Sequence, residues 1–112
     1  MVDEATLRII QQFLTLVNHA GIHANRAVIL GSYARGEAHP ESDIDLLVIA
    51  PEFDHLQDRR LVNELWHQRL YSDSRIEPIP CGERQWLEDD SSAIIEIARR
   101  EGQVIHYQAK AA

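Results

Sequence analysis

Two aspartates one strand-step apart, Asp43 and Asp45, are the residues whose types and spacing most directly suggest chemistry. Around them Ile44, Leu46, Leu47, Val48 and Ile49 form a short apolar run, which predicts a buried strand. Alternate residues of a strand share a face, so the two carboxylates project together while Ile44 points into the core. Carboxylates held that close repel and resist joint ionisation. A hard divalent cation relieves the conflict, and Mg²⁺ in particular takes one or two carboxylates together with phosphate oxygens and water. An isolated Asp-x-Asp is more often an ordinary solvated pair at a loop end, so the motif needs support from its surroundings.

That support lies upstream. Ala27 to Leu30 is a second strand candidate, and it runs directly into Gly31-Ser32. A strand, a Gly-Ser turn and then helical residues make a phosphate cradle: glycine lets the backbone approach a ligand, and serine sets a hydroxyl beside the free N–H groups of a helix start. Ser32 could instead merely cap a short helix. The reciprocal Glu or Gln of a capping box is missing, because position 35 is Arg. Gly36 and Pro40 mark a turn region between the cradle and the Asp pair. Together these elements read as a site for a metal-bound nucleotide.

The block Gly31-Ser32, Ala34-Arg35-Gly36 and Ser42-Asp43-Ile44-Asp45-Leu46 closely resembles the signature of the DNA polymerase β-like nucleotidyltransferases, above all the minimal nucleotidyltransferases of prokaryotes. The motif, Gly31 to Ile49, covers about a sixth of the chain. The resemblance implies an α+β fold in which a small mixed β-sheet packs with helices. It also implies a third acidic residue on the strand after the helix that follows the Asp pair. Glu77 is the only acid in the segment Arg75 to Cys81. The family more often uses Asp there, and the extra methylene of Glu changes its reach; a solvated edge-strand charge is the other reading.

On this resemblance Asp43, Asp45 and Glu77 are the catalytic residues and the ligands of two Mg²⁺ ions, while Gly31, Ser32, Arg35 and Ser42 bind the nucleotide. Arg35 could equally pair with Glu37 or Glu41 and fix the turn. The implied reaction moves a nucleoside monophosphate, AMP from ATP or its counterpart from another nucleoside triphosphate, onto a hydroxyl. The implied acceptor is a tyrosine of a helical HEPN-type toxin, with this chain as antitoxin in a hetero-oligomer. A different class of function is a nucleotide-binding antitoxin that neutralises its partner by occlusion with little turnover. An antibiotic-modifying adenylyltransferase is disfavoured, because no acceptor-binding domain is expected.

Composition agrees. The 112 residues suit one nucleotidyltransferase domain spanning 1–112, without room for a second. A formal net charge of −7 argues against an extensive nucleic-acid footprint and so against a templated polymerase. The single Cys81 has no disulfide or metal-knuckle partner and reads as a small hydrophobe. The acidic Val2-Asp3-Glu4 start does not resemble a signal peptide, and no apolar run approaches the ~20 residues of a membrane span, so a cytoplasmic location is expected. The six histidines are scattered; His19 and His23 straddle Gly21, and His39 sits in the motif loop, so no zinc site is indicated.

The remaining elements must position the site. Leu7, Ile10, Phe13, Leu14 and Val17 recur at helical spacing, with Gly21 to end the helix. After a break at Pro51 to Asp54, His55 to Leu70 predicts an amphipathic helix whose broad face carries Leu56, Leu61, Val62, Leu65, Trp66 and Leu70, with Trp66 expected to pack on the sheet rather than stack on a nucleobase. Arg75 to Cys81 reads as extended, and Pro78 and Pro80, which cannot donate to a ladder, put this strand at an edge or leave it only partly paired. A single helix is expected over Glu83 to Arg100, stopped by Gly102, then a last strand at Gln103 to Tyr107 and a frayed tail from Gln108.

Overall fold

In the computed structural model, which describes residues 2–55 and 59–109, the apolar runs pair into a four-stranded mixed sheet of order β3-β2-β1-β4. Strand β1 is Arg26–Leu30, β2 is Ile44–Ile49, β3 is Ile76–Cys81 and β4 is Gln103–His106. β1 runs antiparallel to both β2 and β4, whereas β2 and β3 are parallel. A parallel pair needs a crossover, supplied here by helix α3 (Arg59–Gln68) with a 3₁₀ turn at each side, Pro51–His55 and Arg69–Tyr71.

The period of two divides the sheet's faces. Ala27, Ile29, Ile44, Leu46, Val48 and Ile76 face the main core, where they meet Ile10, Phe13, Leu14 and Val17 of helix α1 (Glu4–His19) and Leu65 of α3. Asp3 starts α1 by accepting the Thr6 N–H at 2.7 Å. The other face carries Val28, Leu30, Leu47, Ile49, Ile79 and Cys81, covered by Ile95 and Ala98 of helix α5 (Ala93–Glu101) and by Trp86 of α4 (Glu83–Glu88). Burial pushes the Cys81 thiol pKa up to about 11, in keeping with its role as a small hydrophobe. On this second face the apolar floor stops at Leu47, and the next same-face position of β2 is Asp45.

Strand β3 is an edge, as its prolines suggest. Arg75 C=O accepts the Ile44 N–H at 2.8 Å and Cys81 C=O accepts the Ala50 N–H at 3.0 Å, so the odd-numbered residues of this segment face the β2 ladder. Pro78 and Pro80 fall in the alternate phase, where the open edge asks for no N–H donor.

Three expectations are corrected. The helix expected over His55 to Leu70 is α3 alone, with a 3₁₀ turn beyond it; Leu56 lies outside the described residues, as does the end of the expected tail from 110 on. Trp66 does not pack on the sheet: it is 41% exposed, with the Arg69 guanidinium 5.0 Å from its ring centroid, and Leu70 is 71% exposed. At 3.6 residues per turn Trp66 and Leu70 lie about 140° and 180° round the axis from Leu61, whereas Leu65 lies within about 40° of it. Only Leu61 and Leu65 of these four therefore reach the main core. The helix expected over Glu83 to Arg100 is two, α4 and α5. Asp89 takes an extended backbone and accepts the Ser91 N–H at 2.7 Å and its hydroxyl at 2.8 Å, while Ser92 caps α5 by accepting from Ile95 N–H. Such local side-chain to backbone bonding competes with helix continuation.

Candidate active site

Three adjacent strands bring the predicted residues to one end of the second sheet face. Leu30 pairs with Asp45 across β1 and β2, and Asp45 pairs with Glu77 across β2 and β3. Partners in register share a face, so Asp45 and Glu77 stand side by side, with Asp43 one strand-step before Asp45. Asp43 is exposed; Asp45 and Glu77 are half-buried.

Gly31 closes the other side. It opens the one-turn helix α2 (Gly31–Ala34) with φ +68°, and a Cβ placed there would lie 2.6 Å from Asp45 Oδ2. The glycine thus meets two demands, a left-handed backbone and a close approach to a carboxylate. Gly31→Ala is expected to destabilise the fold by about 1–2 kcal/mol for the backbone alone, with displacement of the Asp45 carboxylate in addition. Urea unfolding checks this, and an unchanged midpoint would remove the steric account.

Crowding of like charge is already visible in the electrostatics. Burial first, then the charges of Asp43 and Asp45, and then a hydrogen bond with Asp45 hold the Glu77 carboxyl above its ordinary pKa; Arg69 acts weakly in the opposite sense. Among the described residues no group of three or more His, Cys, Asp or Glu side chains is gathered in position to hold a metal ion. The donor chemistry nevertheless fits Mg²⁺: three hard carboxylate donors, two of them raising the third by repulsion, present the conflict that a divalent cation relieves.

The predicted nucleotide-binding residues surround this cluster unequally. Ser32 sits half-buried at the start of α2, where the first N–H groups of the helix have no partner within it. Arg35 is exposed and its Nε donates to Glu37 at 3.3 Å, the turn-fixing alternative. Ser42 serves the loop itself, its hydroxyl accepting the His39 N–H at 3.0 Å while its own N–H donates to the His39 carbonyl at 2.9 Å.

The residues that sequence reasoning missed are basic. Arg69, on the 3₁₀ turn after α3, lies near enough to Glu77 to act on its charge, and Arg75 reaches from the start of β3 to the motif loop. Neither has a motif signal, since both contacts depend on strand register and on how α3 ends.

A mixed sheet bearing three acids beside a Gly-Ser turn defines a protein with a nucleotidyltransferase architecture. The chain belongs to the nucleotidyltransferase domain family, whose profile matches residues 10–100. It is similar to the bifunctional uridylyltransferase/uridylyl-removing enzyme of Pseudomonas putida (strain W619), 46% identical over 43 residues, a match spanning 35% of this chain and 5% of that enzyme. Two solved structures share the fold. One is a candidate nucleotidyltransferase from Sulfolobus solfataricus, with TM-score 0.56 and 16% identity over 88% of this chain and 77% of that one. The other belongs to a toxin-antitoxin complex crystallised with AMP-PNP, with TM-score 0.59 and 21% identity over 91% of this chain and 73% of that one. No helix among the described residues is long and apolar enough to cross a membrane.

Proposed function

We propose that this chain is a Mg²⁺-dependent nucleotidyltransferase that moves AMP from ATP onto a hydroxyl, and that the acceptor is a tyrosine of a HEPN-type toxin for which it acts as antitoxin. The observation that carries the transferase reading is the register Leu30–Asp45–Glu77, which stands Asp45 and Glu77 side by side with the Asp45 carboxylate against the Gly31 turn. The toxin-antitoxin neighbour with AMP-PNP supports the choice of an adenine nucleotide and of a toxin as partner.

In this reading the Ser32 hydroxyl and the first N–H groups of α2 hold the triphosphate tail. Asp43, Asp45 and Glu77 would hold Mg²⁺, which when bound stabilises charge on the attacking and leaving oxygens. Glu77 would also accept the acceptor hydroxyl's proton, directly or through water. Arg35 can exchange Glu37 for a phosphate at little cost, since both partners are exposed.

Incubating the chain with α-labelled ATP and Mg²⁺ in a lysate of its host tests the proposal. One labelled protein band is the expected result, and its size identifies the acceptor. No label in a lysate shown to contain the partner would replace the transferase reading with neutralisation by occlusion.

A further inference from the structure

The helix that opens at Gly31, the motif loop and the start of β3 come from separate segments of chain, and one side chain joins them. Arg75 Nη1 donates to the Tyr33 hydroxyl at 3.1 Å and to the Pro40 carbonyl at 3.0 Å. Its Nε and Nη2 grip Asp73 at 3.0 and 2.8 Å, and Asp73 also accepts the Arg75 N–H at 2.8 Å. The guanidinium is therefore fixed in plane by a two-point contact before it reaches across to the loop. Its backbone carbonyl in turn accepts the N–H of Ile44, the residue between Asp43 and Asp45.

We infer that Arg75 is the positioning residue of the site: its guanidinium sets the Gly31–Ser32 turn through Tyr33 and the loop 36–42 through Pro40, both relative to Glu77 two residues along its own strand. The Tyr33 ring is buried in the main core, so its hydroxyl is a fixed post rather than a mobile tip. Pro40 lacks an N–H and belongs to a loop tied to the rest of the site by few backbone bonds. Within that loop Ser42 and His39 bond each other, and Glu37 N–H returns to the Ser32 carbonyl at 2.9 Å. The loop is thus closed on itself but anchored to β3 by the Arg75 fork. Arginine suits the task where lysine would not, because four bonds in two directions need a planar array of donors.

The consequence for binding rests on the nucleotidyltransferase reading above; the bracing itself does not. Tyr33→Phe removes one hydroxyl and leaves the ring in the core, and Arg75→Lys keeps the charge but loses the fork. Amide hydrogen exchange at Glu37, His39 and Ser42 is expected to rise roughly tenfold or more in both variants, as loss of a hydrogen bond to a charged group implies, with exchange in α1 and β1 unchanged. Calorimetric affinity for ATP with Mg²⁺ is expected to fall roughly tenfold in Arg75→Lys, out of proportion to any change in melting temperature. Unchanged loop exchange in Tyr33→Phe, or a rise spread evenly through the chain, would overturn the inference. If the unaltered chain binds no ATP while loop exchange responds as stated, the nucleotidyltransferase reading falls and the brace stands.

Discussion

Replacing Asp45 with Asn is expected to lower nucleotidyl transfer on the order of 10³-fold, the scale on which removal of a single transition-state charge contact acts, with no loss of the fold. Asn matches Asp in size, so it fits against Gly31, where a Cβ would lie 2.6 Å from Asp45 Oδ2. What it lacks is the charge. Asp45 stands between Asp43, its neighbour on the same strand face, and Glu77, its partner in register, so on the proposed mechanism it is the carboxylate at the centre of the metal site. Asp43→Asn is expected to act in the same direction. Removing a negative charge from between two others also relieves repulsion, so the melting temperature of Asp45→Asn is expected to equal or exceed that of the parent. Label transfer from ATP and a thermal melt on the same preparation check both halves. Full transfer by Asp45→Asn would remove the metal-ligand role, and a collapsed melt would make the loss of activity uninformative about chemistry.

The Asp pair was legible in the sequence because its geometry is local: a period of two and an apolar run are enough to put both carboxylates on one face. The Gly31–Ser32 turn was legible for the same reason, as a strand running into a glycine. Glu77 was different. Its place in the cluster depends on a parallel register with β2, set by the crossover 50–75 that no local pattern encodes, and the resemblance rather than the spacing singled it out. Arg75 shows the limit more sharply, since its contact to Tyr33 spans 42 positions and neither residue looks unusual alone. The break between α4 and α5 was readable in principle: Asp89-Asp90-Ser91-Ser92 is a run of residues whose side chains bond nearby backbone, and the apolar periodicity on either side concealed it. The expected place of Trp66 fails because the apolar residues of this segment spread over about 180°, whereas the core takes only the narrower part containing Leu61 and Leu65.

The same crowding that equips the site should weaken the fold, and Glu77→Gln separates the two effects. Burial and the charges of Asp43 and Asp45 raise the folded-state pKa of Glu77, so the folded chain keeps this proton to higher pH than the unfolded one. The associated stability is fully present below the unfolded value of about 4.3 and is lost as pH rises through the raised folded value. Gln never ionises and escapes that loss. The Glu77→Gln variant is therefore expected to melt with the parent at about pH 4 and above it at neutral pH. Its transfer activity is expected to fall roughly 10²–10⁴-fold, the range associated with loss of a positioned proton acceptor. Mg²⁺ with ATP should raise the melting temperature of the parent more than that of the variant, because the parent retains the third hard donor. Melts across the pH range, with and without Mg²⁺ and ATP, decide the matter. Coincident curves at neutral pH would show that Glu77 bears no strain from its neighbours, and undiminished transfer would return it to the role of a solvated edge-strand charge.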